Sequence, residues 1–571
     1  MIFWQKFKIL KSGKEPPAWL DNFRRWIYGF SLLALLFIIL ESGLKWKLPT
    51  FLLIISLIVD YIIFFTFLAD AFLTFYFTFP KSAYIRNNWL DLLVFIPLVF
   101  NIVTMRAGAG IIVIRHMVVL IKVFTRTRKF ANLLRGVRLN TPQVVALSFI
   151  AVILTGTILL TFPTATVDGR GANIVDALFT ATSATCVTGL IVQDTPTYFS
   201  VFGQIVILVL IQLGGLGIMT YSAFLTLLVG KFTLGQRKMV QDMMEEERNV
   251  LNIILYIFKM TLLLELIGMI ILFLRWVTYF KAPGQALYFS VFHSISAFCN
   301  AGFSLFSDSL VGFVADPIIN VTVMGLIILG GIGFIVVYEV TNRIRYPRNP
   351  FSTHTKLVLI TSAVLIILAF LAIFFFEFDG ALLNHSLTSK FWASLFQAVT
   401  PRTAGFNTIS IASLSTMTLT IMIILMFIGA SPGSTGGGIK TSTLAILLLS
   451  IRAIFRRKEN IEVFNRTIPS TVAYKAIALF ISAIIILISM FLLLLAFENK
   501  PFLPLLFEAV SAFGTVGLST GITPNLTIAG KLLIMFLMFI GRIGPLTIGL
   551  ALARETTIGK VTHPEARVMI G

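Results

Sequence analysis

The chain has 571 residues, of which 57% are hydrophobic and only 12% charged, and its formal net charge is +20. So few charges cannot solvate the outside of a soluble globule with that apolar content, and the same balance excludes intrinsic disorder, so the chain belongs in a bilayer. The excess of Lys and Arg reads as basic cytoplasmic loops, and no nucleic-acid partner is expected.

A spanning helix needs about 20 mostly apolar residues. By that measure the chain holds about twelve apolar segments. The first four lie near 27–44, 49–79, 89–104 and 108–125 and define an N-terminal four-helix bundle, residues 1–140. The third runs from Arg86 to Pro97, and the fourth carries Arg106, Arg115, Lys122, Arg126 and Arg128. With Asp60, Asp70 and Asp91 as counter-charges, these helices resemble the voltage-sensor module of cation channels. Steep sensing needs several charges at about every third residue. Ile112, Val118 and Ile121 fill those places around Arg115, so the favoured reading is a docking or stabilising bundle.

The other eight segments lie near 143–162, 201–229, 251–279, 318–340, 356–377, 415–446, 471–497 and 529–552. They fall into pairs, and each pair encloses a short apolar stretch that ends in a glycine turn. The stretches are Asp176–Leu190, Phe292–Phe303, Phe396–Phe406 and Phe507–Leu518, and their glycines, Gly189, Gly302, Gly405 and Gly517, are spaced by 113, 103 and 112 residues. Self-similarity at a fixed period marks a repeat architecture. The fold class is therefore an all-α polytopic membrane protein with four tandem outer-helix/pore-helix/inner-helix repeats around a pseudo-four-fold pore. The pore domain covers 141–571, with repeats at 141–235, 250–342, 355–450 and 470–555. Basic residues gather in the connections between repeats, for instance Arg343, Arg345 and Arg348, then Arg452, Arg456, Arg457 and Lys458. The positive-inside rule then puts both termini in the cytoplasm and the glycine turns toward the outside of the cytoplasmic membrane.

Irregular backbone at membrane depth survives only when it is buried in protein or lines water. Four such turns at equivalent places point to one site on a shared axis. A ring of main-chain carbonyls there can replace the hydration shell of a monovalent cation. Glycine reaches the required backbone angles and adds no side chain to narrow the hole. The pore helices aim their negative C-terminal ends at the same axis.

The stretches ATSATCVTGL, SAFCNAGF, TPRTAGFNT and SAFGTVGLSTG, the His354–Leu357 run and Gly541-Arg542-Ile543-Gly544-Pro545 together resemble the Trk/Ktr/HKT superfamily of potassium transporters, over about residues 140–571. The resemblance implies a homodimer with a pore in each subunit and K+ as the transported ion, with no organic cofactor in this chain. It also implies a cytoplasmic ring of nucleotide-binding regulatory subunits. The implied filter backbone is Thr185, Cys186, Val187, Thr188 and Gly189, then Phe298, Cys299, Asn300, Ala301 and Gly302. The third segment is Pro401, Arg402, Thr403, Ala404 and Gly405, and the fourth Phe513, Gly514, Thr515, Val516 and Gly517. Family members with serine at the first glycine tend to carry sodium; Gly189 favours potassium here.

The apolar segment 415–446 is interrupted by Gly433, Ser434, Thr435, Gly436, Gly437 and Gly438, followed by Lys440. With Pro432 they cannot hold a regular helix, and apolar helix flanks both sides, so the break reads as an intramembrane gate below the filter. Arg542 in the last inner helix is costly unless it faces a pore or pairs with carbonyls. It is expected to hydrogen-bond this loop and add a positive barrier to cations, with Lys440 contributing in the same way. The outer-side acids Glu377, Asp379, Glu498, Glu508, Asp176, Asp194, Asp308 and Asp316 are read mostly as solvated loop carboxylates. Glu265, inside an apolar segment, is expected to pair with Lys259 or Arg275. No HExxH occurs, and His116, His293, His354, His385 and His563 are scattered, so no enzymatic site is expected. A sodium-permeable member of the same family and a voltage-gated cation channel remain as alternatives.

Overall fold

The computed structural model describes residues 141–217, 250–348 and 350–552. The N-terminal four-segment region and the stretch Asp242–Arg248 lie outside the described residues. Within the described residues the expected unit recurs four times.

The first repeat has an outer helix α1 (Thr141–Leu160), a pore helix α2 (Ile174–Thr185) and an inner helix α3 (Val201–Gly215). The second has α4 (Val250–Trp276), α5 (Pro283–Phe298) and an inner pair, α6 (Pro317–Gly331) and α7 (Phe334–Arg345). The third has α8 (Thr353–Glu377), α9 (Leu387–Val399) and another pair, α10 (Thr416–Phe427) and α11 (Thr441–Phe455). The fourth has α12 (Ser470–Phe497), α13 (Phe502–Gly514) and the pair α14 (Ile528–Ile543) and α15 (Pro545–Leu552). The outer helices α1, α4, α8 and α12 are long and apolar enough to cross a membrane. Caps fix where the inner helices start: the side chains of Ser200, Asp316, Ser415 and Thr527 accept from N–H groups of the first turn.

Each inner helix packs against the pore helix of the next repeat: α3 on α5, α6 on α9, α10 on α13, and α14 back on α2. That last contact closes the four repeats into a ring. A short antiparallel hairpin, β1 (Ile461–Val463) with β2 (Arg466–Ile468), is added between the third and fourth repeats. Its two-residue turn is left-handed at both Phe464 (φ 49°) and Asn465 (φ 60°), the twist that suits a tight hairpin.

Two expectations are corrected. Segments 318–340 and 529–552 read as continuous spans, yet α6/α7 bend by 107° and α14/α15 by 93°. The bends fall at Gly333 (φ 96°) and Gly544 (φ 94°), and α3 likewise stops just before Gly217 (φ 78°). Non-glycine residues avoid such angles, so the helix ends there. One turn earlier, a Cβ on Gly214, Gly330 or Gly541 would overlap the carbonyl oxygen of Thr185, Phe298 or Phe513, so only glycine lets the inner helix approach the pore-helix end.

The second correction concerns the outer acids. Glu377, Glu498, Glu508 and Asp316 are buried. Glu377 at the end of α8 accepts from the Ser415 N–H (2.9 Å) and hydroxyl (2.7 Å), which tethers the outer helix to the cap of α10. Glu498 does the same for α14 through the Thr527 N–H (2.8 Å) and hydroxyl (2.6 Å). In the second repeat Asp316 caps α6 and pairs with Arg275 of α4 at 2.6 Å. Burial would raise the Asp316 pKa, but the Arg275 hydrogen bond and the Ile319 N–H outweigh it, and the group sits below the ordinary carboxylate value.

Candidate functional site

The four segments that follow the pore helices share one backbone path. Val187 (φ 56°), Asn300 (φ 60°), Thr403 (φ 71°) and Thr515 (φ 50°) are left-handed, and so, two residues later, are Gly189 (93°), Gly302 (71°), Gly405 (82°) and Gly517 (91°). A β-branched residue such as Val187 pays of order 1–3 kcal/mol in that region, so the surroundings must hold it there. The N–H groups of Thr188, Ala301 and Val516 each donate to the carbonyl of Ser183, Ser296 or Ser511 at 2.8 Å. The Ser183 and Ser511 hydroxyls accept from the N–H groups of Gly189 and Gly517, both at 3.1 Å. In the other two repeats the hydroxyl acts as donor, Ser296 to the Phe303 carbonyl (2.8 Å) and Thr400 to the Phe406 carbonyl (2.5 Å). Ser511→Ala would orphan the buried Gly517 N–H, at a cost of about 1–3 kcal/mol. It should lower the melting temperature of the purified protein, whereas Ser482→Ala, which removes only a bond to its own helix at Leu479, should not.

The four segments meet. A Cβ on Gly189 would lie 2.5 Å from the Ala301 carbonyl oxygen, on Gly302 2.9 Å from that of Ala404, and on Gly405 2.5 Å from that of Val516. On Gly517 it would overlap the Thr188 carbonyl oxygen, which returns the chain of contacts to the first repeat. Four glycines and four preceding carbonyls therefore form a closed circuit around one centre. Of the segments' remaining members, Thr185, Phe298, Phe513 and Gly514 end the pore helices, and Cys186, Cys299, Pro401 and Arg402 follow the helix ends. Arg402 is buried and lines a small cavity with Val399, Ile366 and Ile327, Ile328, Gly331 and Ile332 of α6 and its end.

Two side chains that the sequence reading did not place in the site brace the outgoing backbone. Glu508 of α13 accepts from the Thr520 N–H (2.9 Å) and from the hydroxyls of Ser519 (2.7 Å) and Thr523 (2.6 Å). His293 holds the same place on α5: Nε2 accepts from the Leu305 N–H at 3.3 Å, so the proton sits on Nδ1 and is donated to the Phe289 carbonyl at 2.8 Å. The readable signal was their shared offset, nine residues before Gly517 and Gly302. Glu265 meets neither Lys259 nor Arg275; its carboxylate accepts from Gln212 at 3.3 Å and faces Cys299, because α3 and α5, not the ends of α4, pack at that level.

The loop between α10 and α11 lies inside the bundle, on the pore-helix side of the glycine circuit. Ser431 and Thr435 donate their N–H groups to the carbonyls of Gly331 (2.9 Å) and Gly330 (3.2 Å), and the Phe334 N–H returns to the Gly433 carbonyl (2.9 Å). The Thr435 hydroxyl reaches the Phe298 carbonyl (3.3 Å), and the Gly437 N–H donates to the Thr515 hydroxyl (2.9 Å). The Gly438 N–H donates to the Gly541 carbonyl at 3.3 Å. Ser434 bonds within the loop, donating its hydroxyl to the Ser431 carbonyl (2.6 Å). A Cβ on Gly436 would overlap the Thr403 hydroxyl, so the loop closely underlies the third segment. Lys440 folds back onto the loop, donating to the carbonyls of Gly436 (2.7 Å) and Gly437 (3.4 Å).

Arg542 is 7% exposed and bridges two other repeats, donating from Nη1 to the Thr435 carbonyl and from Nη2 to the Gly214 carbonyl. Aligning the inner-helix breaks on Gly214, Gly330, Gly429 and Gly541 puts Gly215, Gly331, Ala430 and Arg542 at one position. Three repeats carry a glycine or alanine there, with Gly215 closely packed against Cys299, and the fourth carries the guanidinium.

The TrkH cation transport protein family matches residues 110–562, a span that begins within the fourth apolar segment. The Ktr system potassium uptake protein B of Bacillus subtilis (strain 168) is 42% identical over 445 residues, covering 77% of this chain and 99% of the relative. Its counterpart in Vibrio alginolyticus is 40% identical over 437 residues, 75% of this chain and 95% of the relative. The crystal structure of the potassium transporter TrkH from Vibrio parahaemolyticus superposes with a TM-score of 0.61 over 82% of this chain and 97% of that one, at 17% identity, and so shares the fold. With this match over most of its length, the chain belongs to the TrkH family of cation transport proteins, a family of multi-pass membrane transporters and not of enzymes.

Proposed function

We propose that this protein takes up potassium across the cytoplasmic membrane, with both termini in the cytoplasm. The ion sheds its water for the main-chain oxygens of Thr188, Ala301, Ala404, Val516 and their neighbours in the four segments. The observation that supports this most directly is the closed circuit of four glycines. No acidic side chain belongs to the four segments, which favours a monovalent ion, and Gly189 favours potassium over sodium. Below the filter, the loop Gly433–Gly438, Lys440 and Arg542 form the gate. Its hydrogen bonds to the breaks of the second and fourth inner helices keep it under the filter, and the guanidinium adds a positive barrier. The working unit is a homodimer in the lipid bilayer, regulated by a cytoplasmic ring of nucleotide-binding subunits that contacts the basic connections between repeats.

The test is ion substitution. Vesicles holding the purified protein should take up potassium at least about tenfold faster than sodium under equal gradients. Equal rates would move the protein to the sodium-permeable reading, and no flux of either ion would reject the pore.

A further inference from the structure

Glu265 lies near the middle of the outer helix α4, is 6% exposed, and has no ion-pair partner among the described residues. A carboxyl group held at membrane depth without a cation is expensive and marks a functional position. Three elements converge on it. Gln212 of α3 donates its amide to Oε2 at 3.3 Å. The Cys299 thiol of the second filter segment faces Oε1 at 3.9 Å and the Gln212 Oε1 at 3.5 Å, which closes a triangle. The Ser294 hydroxyl of α5 donates to the Glu265 main-chain carbonyl at 2.6 Å, so the outer helix is pinned to the pore helix at the same level.

The two ends of this triangle lead to different parts of the conduction path. Cys299 stands next to left-handed Asn300 in the second filter segment, and its sulfur would lie 2.5 Å from a Cβ on Gly215. Gln212 belongs to the last turn of α3, where its carbonyl accepts from the Leu216 N–H at 3.2 Å, and two residues on is Gly214, whose carbonyl takes the Arg542 Nη2 donor. We propose that Glu265 is a positioning residue for conduction: it locks the second filter segment to the turn of the first inner helix that presents its carbonyl to Arg542. This rests on the filter reading above. The acceptor oxygens carry the role, since both side-chain contacts donate toward Glu265.

The test uses the full-length protein in vesicles and reads the potassium-to-sodium uptake ratio, which does not depend on how much protein is active. Glu265→Leu is expected to lower the ratio about fivefold, whereas Glu265→Gln, which keeps an acceptor for Gln212, should stay within about twofold of wild type. Gln212→Leu should lower the ratio as Glu265→Leu does, and the double variant should be no worse than either single one, because the two groups act as a unit. An unchanged ratio in Glu265→Leu, equal damage from Glu265→Gln, or additive losses would each overturn the proposal. If Glu265→Leu does not fold, Gln212→Leu decides in the same assay. A wild-type ratio near one would instead refute the filter reading itself.

Discussion

Gly517→Ala is expected to cut potassium uptake to below about a tenth of the wild-type rate, and to remove discrimination against sodium in what flux is left. Two costs combine at this position. The backbone stands at φ 91°, where an L-residue pays about 1–2 kcal/mol. The new Cβ would also overlap the Thr188 carbonyl oxygen and come within 2.9 Å of the Gly189 Cα. Both neighbours are main chain and cannot rotate away, so relief requires the first and fourth segments to move apart, which breaks the circuit. Gly521→Ala separates the two costs. Its φ of 92° is nearly the same, but no atom lies within 4 Å of its Cβ position. It should reduce stability and leave the potassium-to-sodium ratio intact. If Gly517→Ala kept wild-type selectivity in vesicle uptake, the glycine circuit would not be the filter.

The repeat and its axis were legible because each turn combines a positive φ with a neighbouring main-chain carbonyl that no Cβ could clear, so only glycine fits. A turn that needs it four times leaves Gly189, Gly302, Gly405 and Gly517 as a periodic signal in the sequence. The loop in the third inner helix was legible for a similar reason, since Pro432 and its neighbouring glycines cannot continue a helix. The breaks in α6/α7 and α14/α15 were not. Both read as continuous apolar spans; the bends fall at Gly333 and Gly544, and the close packing of Gly330 and Gly541 on Phe298 and Phe513 joins residues more than 25 apart in sequence. The carboxylates misled for a different reason. Glu377 and Glu498 end apolar helices, where solvation is the ordinary fate of a charge. Only the fold brings the caps Ser415 and Thr527, 38 and 29 residues later, onto them. Arg542 was recognisable as costly, but one of its two acceptors, the Gly214 carbonyl, lies 328 residues earlier in the chain.

Arg542→Ala should raise potassium flux by about an order of magnitude. The magnitude follows from charge alone: for a separation on the order of 10 Å at an effective dielectric near 20, a unit charge opposes a cation by roughly 1.7 kcal/mol, or somewhat more than tenfold in rate. The contacts add to it in the same direction. Without the guanidinium the Thr435 carbonyl loses its tie to the fourth repeat and the Gly214 carbonyl its partner, so water can reach both and the loop is freer to leave the axis. Two further variants divide these contributions. Arg542→Lys keeps the charge but cannot span both carbonyls with a planar fork, so its flux should fall between wild type and Arg542→Ala. Ser431→Ala removes the 2.8 Å hydroxyl contact between Ser431 and Thr441 at the foot of the loop and leaves the charge in place. If Ser431→Ala raises flux nearly as far as Arg542→Ala, the loop itself is the barrier; if it changes little, the charge is. Flux in Arg542→Ala at or below wild type, with the protein folded and the potassium-to-sodium ratio preserved, would remove Arg542 from the gate and leave it as a brace between the first, third and fourth repeats.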